Sequence, residues 1–429
     1  MKLLLVGNGA REHALAWKLL QDDPSLELIC ASGNAGLAEI AECIPLRSDD
    51  VRGLLGFAIR ADVDLTIVGP EAPLAEGIVD SFHEAGRSIF GPTRAAAEIE
   101  TSKRFSKTLM QRAGVPTARA THHRRTDDAI AAVREMGTPA VIKASGLAAG
   151  KGVVIARSSE EAERAINSIM RDRIFGDAGA EVLVEEFMSG EELSIFALTD
   201  GERFVMMRAA QDHKRLLDGD LGPNTGGMGA YSPVAIATDD LLDIVADKVF
   251  EPVLAAMRSD ARPFTGLLYA GLMLTSDGPR VVEFNCRFGD PETEAILPLM
   301  RSSLLDPLRA IASGESLSGM PSLSWHPQYA VTTVIAAHGY PDGPRTGDSV
   351  RLPATPGHVH VFHGATSRDH DTGEVTTSGG RVFAITGVAD SIHEAAARSQ
   401  AHAERISFEG KQFRRDIARR ELERSARAS

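Results

Sequence analysis

The first hundred residues alternate between short apolar runs and helix-like stretches, and this alternation limits the fold more than any other feature of the chain. Lys2 to Val6 is an apolar run of the kind a strand buried on both faces requires. Gly7-Asn8-Gly9 is a turn, and Ala10 to Leu20 is rich in Ala and Leu at helical spacing. Leu26 to Ala31, Asp64 to Gly69 and Arg87 to Phe90 predict further strands, with a helix over Ala75 to Ala85. Strands and helices in alternation predict a doubly wound parallel sheet. Such sheets bind ligands beyond the carboxyl ends of their strands. Gly7-Asn8-Gly9 and Gly69-Pro70-Glu71 both lie at such ends.

A chain of 429 residues exceeds one core, so two to four domains are expected. A helix is predicted from Thr93 to Gly114, stopped by Pro116, and a polar linker from Thr121 to Thr126. A smaller unit follows, with strands at Ala140–Lys143, Gly152–Ala156 and Glu181–Phe187, and a helix over Ser159–Met170 capped by Ser159. Leu193 to about Pro321 reads as strands, a long glycine-rich loop and a helix near Asp239 to Met257. Pro321 to Pro327 reads as a linker into a strand-rich C-terminal unit that closes with a helix over Ser391–Arg405. The expected division is 1–103, a central domain of 104–122 plus 193–325, a lid of 123–192, and 326–429.

A net charge of −13 argues against non-specific binding to nucleic acid. It leaves room for an anionic substrate, because phosphate sites are built locally. No apolar stretch is long enough to span a bilayer, and the leucine run near Met1 is too short for a signal peptide. The three cysteines, Cys30, Cys43 and Cys286, lack metal-ligand spacing and cannot all pair within the chain. A reducing, cytoplasmic setting is expected.

The densest chemistry lies in VVEFNCRFGDPET, Val281 to Thr293. Glu283 and Asn285 are two apart, so an extended backbone points both to one face. A carboxylate and an amide oxygen suit a hard cation completed by nucleotide phosphates. Arg287 is placed to clamp a carboxylate or phosphoryl group. The same pattern also fits an edge strand running into a polar turn. Lys143 ends an apolar strand and Lys151 sits in the loop SGLAAGKG, whose small residues let backbone N–H groups approach a polyphosphate. This is not the P-loop pattern, because no Gly-Lys-Ser/Thr triplet leads into a helix. Val182 to Met188 offers Phe187 or Met188 to a planar base, and Glu192 is placed for ribose hydroxyls. The long loop GPNTGGMGAYSP, Gly222 to Pro233, follows QDHKR. His213 within QDHKR reads as structural rather than as a base. The Gly7-Asn8-Gly9 turn lacks the third glycine of a dinucleotide fingerprint, since Glu12 stands there. Arg11 and Glu12 at a helix start fit a phosphorylated sugar better.

Taken together, the motifs GNGAREH, GPEAPL, IKASGLAAGKG, QDHKR, GPNTGGMGAYSP, LYAGLM, EFNCRFGDPET and GGRV resemble the phosphoribosylamine–glycine ligase family of ATP-grasp enzymes. The resemblance runs over nearly the whole chain and in the family's order. It implies an N-terminal α/β domain, an ATP-grasp pair and a small C-terminal domain. It implies ATP-dependent joining of glycine to 5-phosphoribosylamine through glycyl phosphate, in a monomer or homodimer. By resemblance, Arg287, Asp290, Lys214 and Asp212 form the catalytic set. ATP contacts fall on Lys103, Lys143, Gly150, Lys151, Glu185, Glu186, Phe187 and Glu192. Substrate contacts fall on Gly9, Arg11, Glu12, Glu71, Asn224, Thr225, Gly226 and Arg381. Magnesium or manganese falls on Glu283 and Asn285. Ser145 and Ala10 depart from the family pattern, where an acidic residue and a glycine are usual. Leu268 to Leu274 offers no acid as a further metal ligand. Another ATP-dependent carboxylate–amine ligase, a nucleotide-dependent oxidoreductase and a non-catalytic binding protein are the competing readings.

Overall fold

Leu3 to Val6 are fully buried, as a continuous apolar run predicts for the middle of a parallel sheet. The computed structural model describes residues 1–147, 152–369 and 371–428. Five parallel strands make the N-terminal sheet: β1 (Lys2–Gly7), β2 (Glu27–Ser32), β3 (Glu42–Ile44), β4 (Leu65–Val68) and β5 (Ile89–Phe90), in the order β3-β2-β1-β4-β5. The order reverses between β1 and β4, so the turns after these two strands open side by side. The Gly69 N–H donates to the Val6 carbonyl at 3.0 Å and ties them together.

Two expected helices are each split. Ala75–Ala85 becomes Glu71–Ala75 and Ile78–Glu84, because Gly77 takes a left-handed φ of +82° between them. Thr93–Gly114 becomes Arg94–Thr101 and Lys103–Arg112, with Ser102 extended at φ −131° and capping the second helix. The short strand β3 and the helix Val51–Arg60 were not expected.

The segment expected to form the lid is an antiparallel sheet of β6 (Ala120–His123), β7 (Ala140–Ala144), β8 (Val153–Ala156) and β9 (Val182–Glu186), ordered β6-β9-β7-β8. The expected linker Thr121–Thr126 is instead strand β6 followed by the helix Thr126–Met136. β6 is an edge strand with no fully buried residue, which is why it reads as polar connector. That helix and Ser159–Met170 pack Ala129, Val133, Ala162 and Ile166 against the sheet. Ser158, not Ser159, caps the second helix, accepting from Glu161 N–H at 3.2 Å.

Beyond the lid come β10 (Glu191–Thr199), β11 (Phe204–Met206), β12 (Gln211–Asp212), β13 (Arg215–Leu217), β14 (Leu221–Asn224), β15 (Gly229–Ser232), β16 (Gly266–Thr275) and β17 (Gly278–Asn285). An antiparallel sheet runs β11-β10-β16-β17. The expected long loop Gly222–Pro233 is largely strand, with only residues 225–228 between β14 and β15. The C-terminal strands are β18 (Tyr329–Ala336), β19 (Val359–His363), β20 (Thr366–Arg368), β21 (Val375–Thr377) and β22 (Arg381–Ala389). A five-stranded sheet, β12-β15-β18-β22-β19, crosses the expected boundary at residue 326. The chain does not close with Ile392–Arg405, since a helix over Arg419–Ala428 follows. One apolar core holds Leu5 of β1, Phe196 of β10, Tyr269 of β16 and Phe362 of β19. Among the described residues no helix is long and apolar enough to cross a membrane.

Candidate active site

The end of β17 fixes the centre of the site. Asn285 lies opposite Tyr269 on β16 and Glu283 opposite Gly271, with a bulge where Leu272 pairs with Val281. Past the bulge the alternation sets Glu283 and Asn285 on one face, as the spacing requires. Burial resists ionisation of Glu283, but Lys214, Lys103, Lys143 and Arg287 outweigh it and hold its carboxyl below the usual range. A carboxylate kept ionised beside an amide oxygen is a hard-oxygen pair that fits magnesium or manganese. The nearby lysines give the site the positive charge that phosphates would require. Among the described residues no three His, Cys, Asp or Glu gather as a metal cluster, so such an ion would take its other ligands from nucleotide and water.

The cationic wall comes from the lid and the helix Lys103–Arg112. Lys143 Nζ lies 2.8 Å from Glu185 Oε2 and donates to the Val282 carbonyl at 3.2 Å. Lys107 Nζ lies 3.1 Å from Glu185 Oε1. Glu185 is therefore a buried anchor between two lysines, with both carboxylate oxygens engaged by them. Glu186 is bound by Arg119 at 2.7 Å and Arg280 at 2.6 Å. Both carboxylates of the expected base-binding segment are thus spent on protein cations. Phe187 remains 39% exposed, an apolar surface for a planar base. Burial lowers the Lys103 ammonium, with Glu283 pulling the other way. Ser145 ties the loop start to this wall, its carbonyl accepting from Lys103 N–H at 2.9 Å. Gly150 and Lys151 lie outside the described residues.

β10, β12 and the helix Glu292–Ile296 supply an acidic wall, with Tyr269 of β16 bonded to it. Lys214 pairs with Glu192, the residue expected at the ribose. Burial alone would lower the Lys214 ammonium, but Glu192 and Asp212 hold it well above its usual range. Burial pushes the Asp212 carboxyl up to about 7, against the pull of Lys214 and with help from Glu292 and Glu192. Tyr269 donates its hydroxyl to Glu292 Oε1 at 2.7 Å, and Ser194 does so at 3.1 Å. His213 is structural as expected: it is buried and its Nε2 accepts from Ala418 N–H at 3.0 Å.

The third wall joins the N-terminal turns to the C-terminal domain. Arg287 Nε is 3.2 Å from Glu71 Oε2, and its NH2 is 3.3 Å from Glu100 Oε1. Burial disfavours the Glu71 carboxylate, but Arg287 and Arg11 outweigh it and hold it at about 2. Asp290 Oδ2 meets Arg381 NH2 at 2.9 Å, and Arg381 also donates to the Gly226 carbonyl. Thr225 is buried and bonds the Lys214 carbonyl through its hydroxyl at 2.9 Å, while Asn224 pairs with Arg215 across β13 and β14. Glu12 is turned into its own loop: Oε2 accepts from Gly9 N–H at 2.6 Å and Oε1 from Arg11 Nε at 2.7 Å. Arg11 also donates to the Phe288 carbonyl at 3.1 Å. Gly9, Arg11 and Glu12 thus form one locked turn rather than three free substrate contacts. Gly7 and Gly69 leave the space that Glu12 fills, since a Cβ at Gly69 would lie 2.0 Å from its Oε1. Asn34 was not anticipated. Its Nδ2 donates to the carbonyls of Asn8 at 2.9 Å and His363 at 2.7 Å, fastening the turn to β19. Lys107, Glu100, Ser194 and Tyr269 were also missed, because the partners they hold lie well outside the local motif of each, Tyr269 and Ser194 on Glu292, Lys107 on Glu185 and Glu100 on Cys286 and Arg287.

Three family models match successive segments. They describe phosphoribosylglycinamide synthetase: its N domain at residues 1–100, its ATP-grasp (A) domain at 101–293 and its C domain at 330–420. The chain is 46% identical to phosphoribosylamine–glycine ligase of Xanthomonas axonopodis pv. citri, covering 100% of both sequences. It is 48% identical to that of Ralstonia nicotianae over 99% of this chain and 100% of the relative. The crystal structure of phosphoribosylamine–glycine ligase from Thermotoga maritima superposes with a TM-score of 0.85 at 31% identity, covering 97% of this chain and 100% of the other. The biotin carboxylase domain of Hydrogenobacter thermophilus 2-oxoglutarate carboxylase, crystallised with MgADP, shares the fold at a TM-score of 0.72 and 17% identity. That match covers 96% of this chain and 91% of the other. The turns, the ATP-grasp sheets and the EFNCRFGDPET strand thus belong to one assembly, and the chain is a member of the phosphoribosylamine–glycine ligase family.

Proposed function

We infer that the chain ligates glycine to 5-phosphoribosylamine with ATP, giving glycinamide ribonucleotide, ADP and phosphate in the purine pathway of the cytoplasm. The observation that carries the reading is the pair Glu283 and Asn285 beside Lys103, Lys143 and Lys214. On this reading residues 1–103 bind the amine, 104–122 with 193–325 form the ATP-grasp body, 123–192 the lid and 326–429 the C-terminal domain. Glu283 and Asn285 hold magnesium or manganese, which supplies charge neutralisation at the phosphates. Lys103 and Lys143 neutralise phosphate oxygens; Gly150 and Lys151, also expected at the phosphates, lie outside the described residues. Phe187 packs on the base, and Glu192 turns between Lys214 and the ribose.

A carboxylate is a poor electrophile, because oxide is an unworkable leaving group. Transfer of the terminal phosphoryl group of ATP to glycine forms an acyl phosphate and releases ADP. Arg287 orients the glycine carboxylate, and Lys214 screens charge on the transferring group. Asp212, with its carboxyl near 7, takes the proton the attacking amine loses as the C–N bond forms and phosphate leaves. Glu71, Asp290 and Arg381 hold the sugar of phosphoribosylamine, with Arg381 at its phosphate. The Gly9–Glu12 turn and residues 224–226 shape the walls. The enzyme's share is positioning and charge neutralisation. Glycine labelled with heavy oxygen in its carboxylate tests the sequence. Each inorganic phosphate formed should carry one labelled oxygen, and ADP release should need glycine. Unlabelled phosphate overturns the acyl phosphate route.

A further inference from the structure

The break at Ser102 does more than divide a helix. It gives Glu100 and Lys103, three residues apart, separate tasks. Lys103 begins the second helix and lies near Glu283. Glu100 sits in the last turn of the first helix and reaches the segment that leaves β17. Its Oε2 accepts from Cys286 N–H at 2.7 Å, directly after Asn285. Its Oε1 lies 3.3 Å from Arg287 NH2. The Glu100 side chain is 7% exposed, against 29% for Glu71, the other carboxylate on Arg287. Glu71 is the more exposed of the two and, on the proposed reading, has a use at the amine substrate. Glu100 has none, because it is buried behind the guanidinium.

We propose that Glu100 is a positioning residue that aims Arg287 and, through the Cys286 peptide, fixes the end of the Glu283–Asn285 strand. A guanidinium has a planar fork of donors, and its useful orientation depends on what holds its back. Once Glu71 engages the amine substrate, Glu100 is the carboxylate left to hold Arg287. Burial pushes the Glu100 carboxyl up, and Arg287 resists that rise. The inference rests on the reading that Arg287 touches the reacting groups.

Glu100→Gln separates the two contacts, since an amide oxygen still accepts from Cys286 N–H while the charge facing Arg287 is gone. Steady-state rates for all three substrates, with thermal melting as the check on folding, are compared for Glu100→Gln, Arg287→Gln and the double variant. Glu100→Gln should lower kcat roughly tenfold or more, as loss of orientation does, and leave the KM for ATP within about twofold. In the Arg287→Gln background it should cause no further loss. Should Glu100→Gln lose its fold, Glu100→Asp, which keeps the charge but withdraws it from Arg287, enters the same cycle with the same expectation. If Arg287→Gln alone turns over like the wild type, the role given to Arg287 fails and this inference falls with it. If Arg287→Gln is crippled but the Glu100 variant is either not slowed or multiplies that loss, only the positioning role of Glu100 is overturned.

Discussion

Replacing Glu185 by Gln should cost the protein more stability than any other single change in the expected ATP-binding segment. The carboxylate lies between Lys107 at 3.1 Å and Lys143 at 2.8 Å, with all three side chains at most 7% exposed. Gln keeps the volume and removes the charge, which leaves two buried ammonium groups facing a neutral amide. Removing one partner of a buried ion pair costs about 3–5 kcal/mol. Two features place this site near the lower end. Lys107 retains the Thr117 hydroxyl at 2.8 Å, and Lys143 retains the Val282 carbonyl. We therefore expect about 3 kcal/mol, read as a lower urea midpoint for the lid. Glu186→Gln is the control, because its partners Arg119 and Arg280 are more exposed, and it should cost at most about 1 kcal/mol. Saturating nucleotide should narrow the gap between wild type and Glu185→Gln, since phosphates would take up the stranded charge. Acid should narrow it too. Burial opposes ionisation of Glu185, but Lys143 and Lys107 depress its carboxyl below 4.5. Its contribution is complete above that value and lost as pH falls through the lower, folded one. A Glu185→Gln midpoint equal to that of Glu186→Gln would refute the reasoning.

Other expectations concern function more directly. Glu283→Gln should cut kcat by about a hundredfold or more at ordinary magnesium, with the fold intact; near-wild-type turnover would remove it from the metal site. Arg381→Ala should raise the KM for phosphoribosylamine about tenfold or more and leave that for ATP unchanged, the scale of one lost charge-assisted contact; an unchanged amine KM would make Arg381 a purely structural partner of Asp290. Asp212 should make the ligand-free protein less stable as pH rises from about 4 to about 7, because burial lifts its folded carboxyl from 3.8 to about 7. Denaturation curves across that window should flatten in Asp212→Asn, and an undiminished slope would place the titration elsewhere.

The parts of the fold legible in the sequence are those whose pattern is local. β1 and β4 are apolar runs ending in glycine turns, and Glu283 with Asn285 follows strand alternation. The errors occur where a local pattern is ambiguous. Ser102 breaks a sequence that has the periodicity of one helix, and its hydroxyl makes the break tolerable by capping the helix Lys103–Arg112. β6 carries no buried face, so nothing in its alternation marks it as a strand. GPNTGGMGAYSP is rich in turn residues, yet Gly229 to Ser232 is fully buried and pairs with β18. A central strand of Gly, Ala, Tyr and Ser, set among turn residues, looks like a loop until its partner is known.

The site was less legible than its residues, for a physical reason. Motifs identify which side chains matter; they do not say which charges are already spent. Arg287 meets Glu71 and Glu100 across 216 and 187 positions of sequence, and Asp290 meets Arg381 across 91. A charged side chain buried in a closed fold needs a partner before it can serve a ligand. Hence Glu185 and Glu12, conspicuous in their motifs, turn inward as supports. Glu71 and Phe187 stay partly exposed. The division follows from burial: a carboxylate with both oxygens engaged by protein donors is a fixed part of the wall, and one with a free, partly wetted oxygen is available to substrate. On that criterion Glu71, Asp290 and Arg381 are the groups we propose for the sugar of phosphoribosylamine, and the ion pairs Glu71–Arg287 and Asp290–Arg381 hold the N-terminal turn against the central segment and the central segment against the C-terminal domain. On the proposed reading the amine substrate would bind where those three units meet, so a change at either ion pair should be felt in its KM before that of ATP.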